Sequence, residues 1–219
     1  MTTALARLRN AASKRKLACV TGWDFPSGLL AETAGIDLVL VGDSLGITAL
    51  GYEDTKKVTL DEMVHHTKAV ARVFKTGFLL ADLPFGSYER STEHGKSPTR
   101  DERRHSNSHD SVAIDSAVRL IKEGGAHGVK LEGGSDVSPI IQAISKAGIP
   151  VIAHIGLTLQ RDLDASKQGH ESSDVSAKLL SDAKSVQNAG AVAVVLEAVA
   201  SQTAAEITKT LEIPTIGIG

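Results

Sequence analysis

Six apolar stretches of this 219-residue chain end in, or just before, side chains that can carry charge: Asp24 after VTGW, Asp43 with Ser44 after LVLVG, Asp82 after FLLA, Lys130 and Glu132 in VKLE, His154 in VIAH, and Glu197 in VVLE. A carboxylate buried among Val, Leu and Ile is costly unless it is paired or binds a cation. Asp43, Asp82 and Glu132 together offer oxygen donors only, a set that suits a hard divalent ion, Mg²⁺ ahead of Zn²⁺. Lys130 precedes Glu132 by two residues, so a strand presents both on one face, and a lysine beside a metal suits a substrate carboxylate. Glu197 interrupts the most apolar stretch of the chain and is a candidate general acid/base. His154 alone reads equally as a hydrogen-bonded core histidine or as a substrate ligand. Any one strand-terminal Asp reads first as a helix or turn cap; the whole series does not.

The elements that must position these groups follow from the periodicity. Seven apolar, β-branched runs read as buried strands: 17–22, 38–43, 78–85, 128–133, 150–157, 191–198 and 214–219. Helix-period segments lie between them. Four helices run into a small residue and Gly and then at once into a strand, in AGIDLVLVGD, GGAHGVKLEG, AGIPVIAHIG and AGAVAVVLEA. Gly just past a helix end takes the left-handed conformation and opens a short loop to a parallel strand. A repeated βα unit implies either a (β/α)8 barrel or a doubly wound sheet. A doubly wound sheet gathers ligand groups at one switch point, whereas a barrel gathers all its strand C-termini around one mouth. The spread of charged residues over successive strands favours the barrel.

Composition narrows the classes. With 24 Lys and Arg against 26 Asp and Glu, the net charge of −2 provides no global basic field for nucleic acid or an anionic membrane. The single cysteine, Cys19, excludes an internal disulfide framework and fits a reducing compartment. No apolar run reaches the roughly 18 residues of a membrane span. A soluble cytoplasmic protein is expected; the alternative is a mitochondrial one, because Arg7, Arg9, Lys14, Arg15 and Lys16 all precede the first acidic residue, Asp24. The preferred reading of that basic stretch is an amphipathic first helix. Residues 89–111 contain no aliphatic or aromatic side chain and are expected to form a disordered polar insertion within a single domain spanning 1–219.

Several longer motifs occur in order: VGDSLG (41–46), HHT (65–67), LLADLPFGSY (79–88), VKLEGG (129–134), HIGLT (154–158), VLEAV (195–199) and IPTIGIG (213–219). Together they resemble the ketopantoate hydroxymethyltransferase family. The resemblance implies a (β/α)8 TIM barrel of the phosphoenolpyruvate mutase/isocitrate lyase superfamily. It implies transfer of a hydroxymethyl group from 5,10-methylenetetrahydrofolate to 3-methyl-2-oxobutanoate, giving 2-dehydropantoate in pantothenate biosynthesis. By motif matching, Asp43 and Asp82 would bind Mg²⁺, with Glu132 completing the shell directly or through water. Ser44 and Lys130 would hold the oxo acid, with Asp43, Asp82 and His154 around it, and Glu197 would accept the proton. A 2-oxo acid chelates a divalent ion, which stabilises the enolate left when C3 is deprotonated. A homo-oligomer, a decamer in the family, is implied too.

Departures from the family pattern leave alternatives open. Leu159 replaces a Pro, residues 162–174 keep only Gln168-Gly169 of a longer motif, and Trp23 stands where Tyr is common. The matched strands stop at the seventh, so a barrel truncated after that strand is expected. Alternatives to an active transferase are an inactive truncated form and a related 2-oxo acid lyase or mutase.

Overall fold

The computed structural model describes residues 3–88, 106–160 and 173–219. Within them the chain alternates strand and helix. It begins with helix α1 (Ala4–Ala12), β1 (Cys19–Thr21), α2 (Phe25–Thr33), β2 (Leu38–Val41), the short α3 (Leu45–Thr48), α4 (Leu60–Ala71) and β3 (Phe78–Asp82). It continues with α5 (Ser106–Lys122), β4 (Gly128–Glu132), α6 (Ser138–Lys146), β5 (Val151–Gly156), α7 (Ser173–Asn188), β6 (Ala193–Glu197), α8 (Ser201–Thr210) and β7 (Thr215–Ile218). All seven strands pair in parallel and in chain order, β1 through β7. No reversal of strand order creates a switch point. The sheet is therefore a nearly closed α/β barrel, as the spread of charged strand ends implies.

The predicted helix stops are present. Gly35, Gly125, Gly148 and Gly190 lie at φ between 68° and 101°, a region open to Gly without the Cβ penalty. The basic N-terminal stretch forms α1, and Leu5 and Leu8 from it pack on an interior cluster of Leu38, Phe78, Leu80, Ile152, Ala193 and Val195. A larger apolar layer, including Val39, Leu79, Val129, Ile141 and Val194, lies between strands and helices. Strands β3 to β6 are thus apolar on both faces, which explains their continuous hydrophobic runs.

One expectation changes. Seven buried strands were expected, but β1 is exposed throughout and β7 is exposed at its end. Among the described residues each pairs with one neighbour only; an edge strand lacks the flanking strand that would cover it. Between these edges lies a cavity of about 950 Å³, lined by α1, α8 and residues such as Cys19 and Ile216. Within the polar segment 89–111, helix α5 begins at Ser106. Residues 89–105, like 161–172, lie outside the described residues.

Candidate active site

Strand periodicity builds the site. Inner-face positions run Phe78, Leu80, Asp82 on β3; Gly128, Lys130, Glu132 on β4; Ile152, His154, Gly156 on β5; and Ala193, Val195, Glu197 on β6. Each column is small or apolar at the barrel floor, and four ionisable columns meet at the C-terminal mouth. The register places Asp82 beside Lys130, Glu132 beside His154, and Gly156 beside Glu197. Asp43 joins them from the turn after β2, where its backbone N–H donates to Asp82 Oδ2 at 3.1 Å.

The charged groups are buried and paired. Lys130 Nζ lies 3.1 Å from Asp82 Oδ1, 3.8 Å from Glu132 Oε1 and 3.3 Å from His154 Nδ1. His154 bridges two carboxylates, with Nδ1 3.4 Å from Glu132 Oε1 and Nε2 3.2 Å from Glu197 Oε2. Glu197 keeps 24% of its side chain exposed, so it stands at the rim while its partners lie below. Two contacts are close without hydrogen-bond alignment: Asp82 Oδ1 and His154 Nε2 have no hydrogen-bond partner among the described residues.

The electrostatics follow from burial. Desolvation pushes the Asp82 carboxyl up to about 7, with Asp43 and Glu132 adding to the rise and Lys130 opposing it. Desolvation likewise raises Asp43. Burial opposes the charge on Lys130, but Asp82, Glu132 and Asp43 outweigh it and hold the ammonium above its ordinary range. Burial would raise Glu132, yet His154, Lys130 and a backbone N–H hold it below the usual carboxylate range. For His154, burial and Lys130 favour the neutral ring, while Glu132 and Glu197 outweigh them and raise it.

The structure separates the caps from the site. Asp24 is a helix cap: it accepts from Ser27 N at 2.8 Å in a capping box at the start of α2. Asp43, Asp82, Lys130, Glu132, His154 and Glu197 converge, as expected. Ser44 is half-buried at the start of α3 and makes no side-chain capping bond; its hydroxyl and Asp82 Oδ2 both lie close to Gly42, where a Cβ would meet them. Among the described residues no three His, Cys, Asp or Glu side chains are placed to hold a metal ion together. The oxygens of Glu132 face Gln160 N, Lys130 and His154. Asp43 and Asp82 do fit a hard cation: both are oxygen donors raised by burial, and Asp82 Oδ1 has no aligned partner.

Two residues of the site were not anticipated. Gln160, past the end of β5, donates from Nε2 to Asp43 Oδ2 at 2.7 Å and to Leu83 O at 3.1 Å, and its backbone N–H donates to Glu132 Oε2 at 3.0 Å. Tyr88 donates its hydroxyl to Gln160 Oε1 at 2.5 Å and accepts from Glu132 N at 3.2 Å. The available signal was a single amide residue six positions after His154. Nothing in its spacing points to Asp43, 117 residues away.

Backbone geometry sets Glu197 against β5. Gly156 has φ 101°, and a Cβ there would strike the Glu197 carbonyl; that carbonyl instead accepts from Leu157 N at 2.9 Å. Ala198 is held at φ 52°, a costly conformation for a residue with a Cβ, with its N–H bonded to Ile218 O at 2.9 Å.

Comparison with known proteins bears on the family and the fold. The family model described as "Ketopantoate hydroxymethyltransferase" matches residues 2–100 and 104–219. A Thermoanaerobacter sp. protein named 3-methyl-2-oxobutanoate hydroxymethyltransferase is 44% identical over 207 residues, 94% of this chain and 69% of its own length. A protein of the same name from Geobacillus sp. is 47% identical over 91% of this chain and 66% of its own length. One from Emericella nidulans is 45% identical over 97% of this chain and 56% of its own length. Among solved structures, 2,3-dimethylmalate lyase, a PEP mutase/isocitrate lyase superfamily member, superposes with TM-score 0.65 at 17% identity, covering 98% of this chain and 71% of that one. Phosphonopyruvate hydrolase, solved with oxalate and Mg²⁺, gives TM-score 0.68 at 15% identity, covering 98% and 71%. These two likenesses bear on the fold alone. The family match and the relatives above 40% identity show that the chain belongs to the ketopantoate hydroxymethyltransferase family, whose named members are transferases.

Proposed function

We propose that this chain transfers a hydroxymethyl group from 5,10-methylenetetrahydrofolate to 3-methyl-2-oxobutanoate, giving 2-dehydropantoate. The observation that carries the reading is the convergence of Asp43, Asp82, Lys130, Glu132, His154 and Glu197 on one barrel mouth, with Lys130 enclosed by carboxylates and Glu197 left partly open.

The roles follow from position. The Lys130 ammonium and the Ser44 hydroxyl bind and orient the oxo acid's carboxylate. Glu197, at the rim, takes the proton from C3 of the substrate. His154, between Glu197 and Glu132, holds that base in place and keeps positive charge beside it once the substrate is bound. Asp43 and Asp82 would hold Mg²⁺, with Glu132 behind them reaching the ion through water. When bound, Mg²⁺ supplies Lewis-acid stabilisation of the enolate oxygen. With the carboxylate fixed by Lys130 and the proton on Glu197, C3 is the nucleophile presented to the one-carbon unit of the folate. The carbon–carbon bond forms as the carbon's bonds to the folate nitrogens break, water supplies the hydroxyl oxygen, and tetrahydrofolate is released.

The test is turnover by the purified chain with Mg²⁺, 3-methyl-2-oxobutanoate and methylenetetrahydrofolate. Formation of 2-dehydropantoate, lost in Asp82→Asn, is the expected result. A folded protein, by circular dichroism and sedimentation, that forms no product would refute the reading. The same sedimentation run reports whether the chain assembles into the homo-oligomer that family membership suggests.

A further inference from the structure

We infer that Gln160 is a positioning residue that sets the orientation of two acidic side chains of the site at once, Asp43 through its amide and Glu132 through its backbone N–H. This inference rests on the proposed function for its catalytic meaning, though not for its geometry.

Gln160 is 1% exposed, and both ends of its amide are spoken for. Its orientation is decided by chemistry. Nε2 faces two acceptors, Asp43 Oδ2 and the Leu83 carbonyl, and so must be the donor end; Oε1 faces the Tyr88 hydroxyl and so accepts. A flipped amide would set its oxygen against a carboxylate and a carbonyl. Tyr88, 1% exposed, is in turn anchored on the β4 backbone through Glu132 N. The amide thus ties the turn after β2 and the segment after β3 to the residue at the end of β4.

The consequence is a division of labour among oxygens. Asp43 Oδ2 is used by Gln160, which leaves Oδ1 as the atom available to a ligand. Glu132 Oε2 is used by the Gln160 N–H, which leaves Oε1 toward Lys130 and His154. Without the amide, Asp43 has an uncompensated buried oxygen and freedom to turn. Hydrogen bonds that orient the ligating groups of a metal site are typically worth 10–100-fold in affinity. Gln160 touches no group expected to react, so its effect passes through Asp43 and Glu132.

The experiment uses the whole chain and three variants, Gln160→Met, Gln160→Glu and Tyr88→Phe, with two readouts. Crystal structures report the side-chain positions of Asp43 and Glu132, and calorimetric titration with Mn²⁺ alone reports binding. In Gln160→Met, which keeps the volume, Asp43 is expected to leave its position and Mn²⁺ affinity to fall by about 10–100-fold, with the circular dichroism spectrum retained. Gln160→Glu places a carboxylate against Asp43 and is expected to fall at least as far. Tyr88→Phe frees one end of the amide and is expected to lie between. An unchanged Asp43 position in a folded Gln160→Met protein, which keeps the backbone N–H to Glu132, would overturn the inference, as would Mn²⁺ affinity within about twofold of the parent. If the parent chain itself binds no Mn²⁺ and forms no product, the functional reading fails separately, while the side-chain positions still decide the role of Gln160.

Discussion

At the scale of single residues, the site is a balance of buried charge. Lys130 is the cation that faces Asp82 and Glu132 at 3.1 and 3.8 Å, and all three are almost wholly buried. Removing one partner of such a group leaves the others uncompensated, at a cost of about 3–5 kcal/mol. Lys130→Met is therefore expected to lower the unfolding free energy by that amount at neutral pH, as denaturant titration would show. Adding Asp82→Asn should recover part of the loss, a coupling that a double-mutant cycle measures. The residue types at the strand ends were legible in the sequence, because period-2 alternation alone puts Lys130 with Glu132 and predicts that charges at strand termini face one mouth. The partners of those residues were not. Gln160 reaches Asp43 across 117 positions, and the engagement of Glu132 by Gln160 and His154 arises only when β4 lies against β5 and the segment that follows it. Local spacing carries no trace of either.

At the scale of elements, local backbone geometry aims the side chains. Gly156 ends β5 at φ 101° against the Glu197 carbonyl. Gly156→Ala must adopt a strained conformation, worth about 1–2 kcal/mol, and push β6 away. The expected outcome is a lower melting temperature together with a fall in kcat, since Glu197 shifts with its own carbonyl. A change in melting temperature with kcat intact would separate the two effects. The N-terminal segment is tied to the sheet by Arg15, which forms a two-pronged pair with Asp37 at 2.7 and 2.6 Å, while Asp37 Oδ2 also accepts from Ala18 N. The hydrogen bond from Arg15, with help from Ala18, holds the Asp37 carboxyl below its ordinary value. A depressed carboxylate contributes stability above the unfolded value, about 3.9, and loses it as pH falls through the lower folded value. Asp37→Asn is accordingly expected to be less stable near neutrality and to lose less on acidification, as urea midpoints from pH 7 to pH 2 would show. Helix stops were the most legible elements, since Gly past a helix end has one strong physical use. Edge exposure was the least, because an apolar run reads the same whether or not a neighbour covers it.

At the scale of the whole molecule, the barrel stacks an apolar floor beneath an ionic mouth. Leu5 and Leu8 of α1 close that floor against Leu38, Phe78 and Ile152, so the basic N-terminal stretch is structural where it meets the sheet. Leu8→Asp would bring a carboxylate to this apolar contact; a loss of about 2 kcal/mol is expected from the lost burial alone, measured by urea unfolding. The central claim concerns the mouth: Glu197, held by His154, removes the C3 proton of a 2-oxo acid bound by Lys130. Proton exchange tests it without folate. The purified chain is incubated with 3-methyl-2-oxobutanoate and Mg²⁺ in deuterated water, and loss of the C3 proton signal is followed by nuclear magnetic resonance. The parent protein should exchange that proton and Glu197→Gln should slow exchange by at least about 100-fold, with substrate binding retained. Exchange at the parent rate in Glu197→Gln, or no exchange in a folded parent that binds the oxo acid, would contradict it.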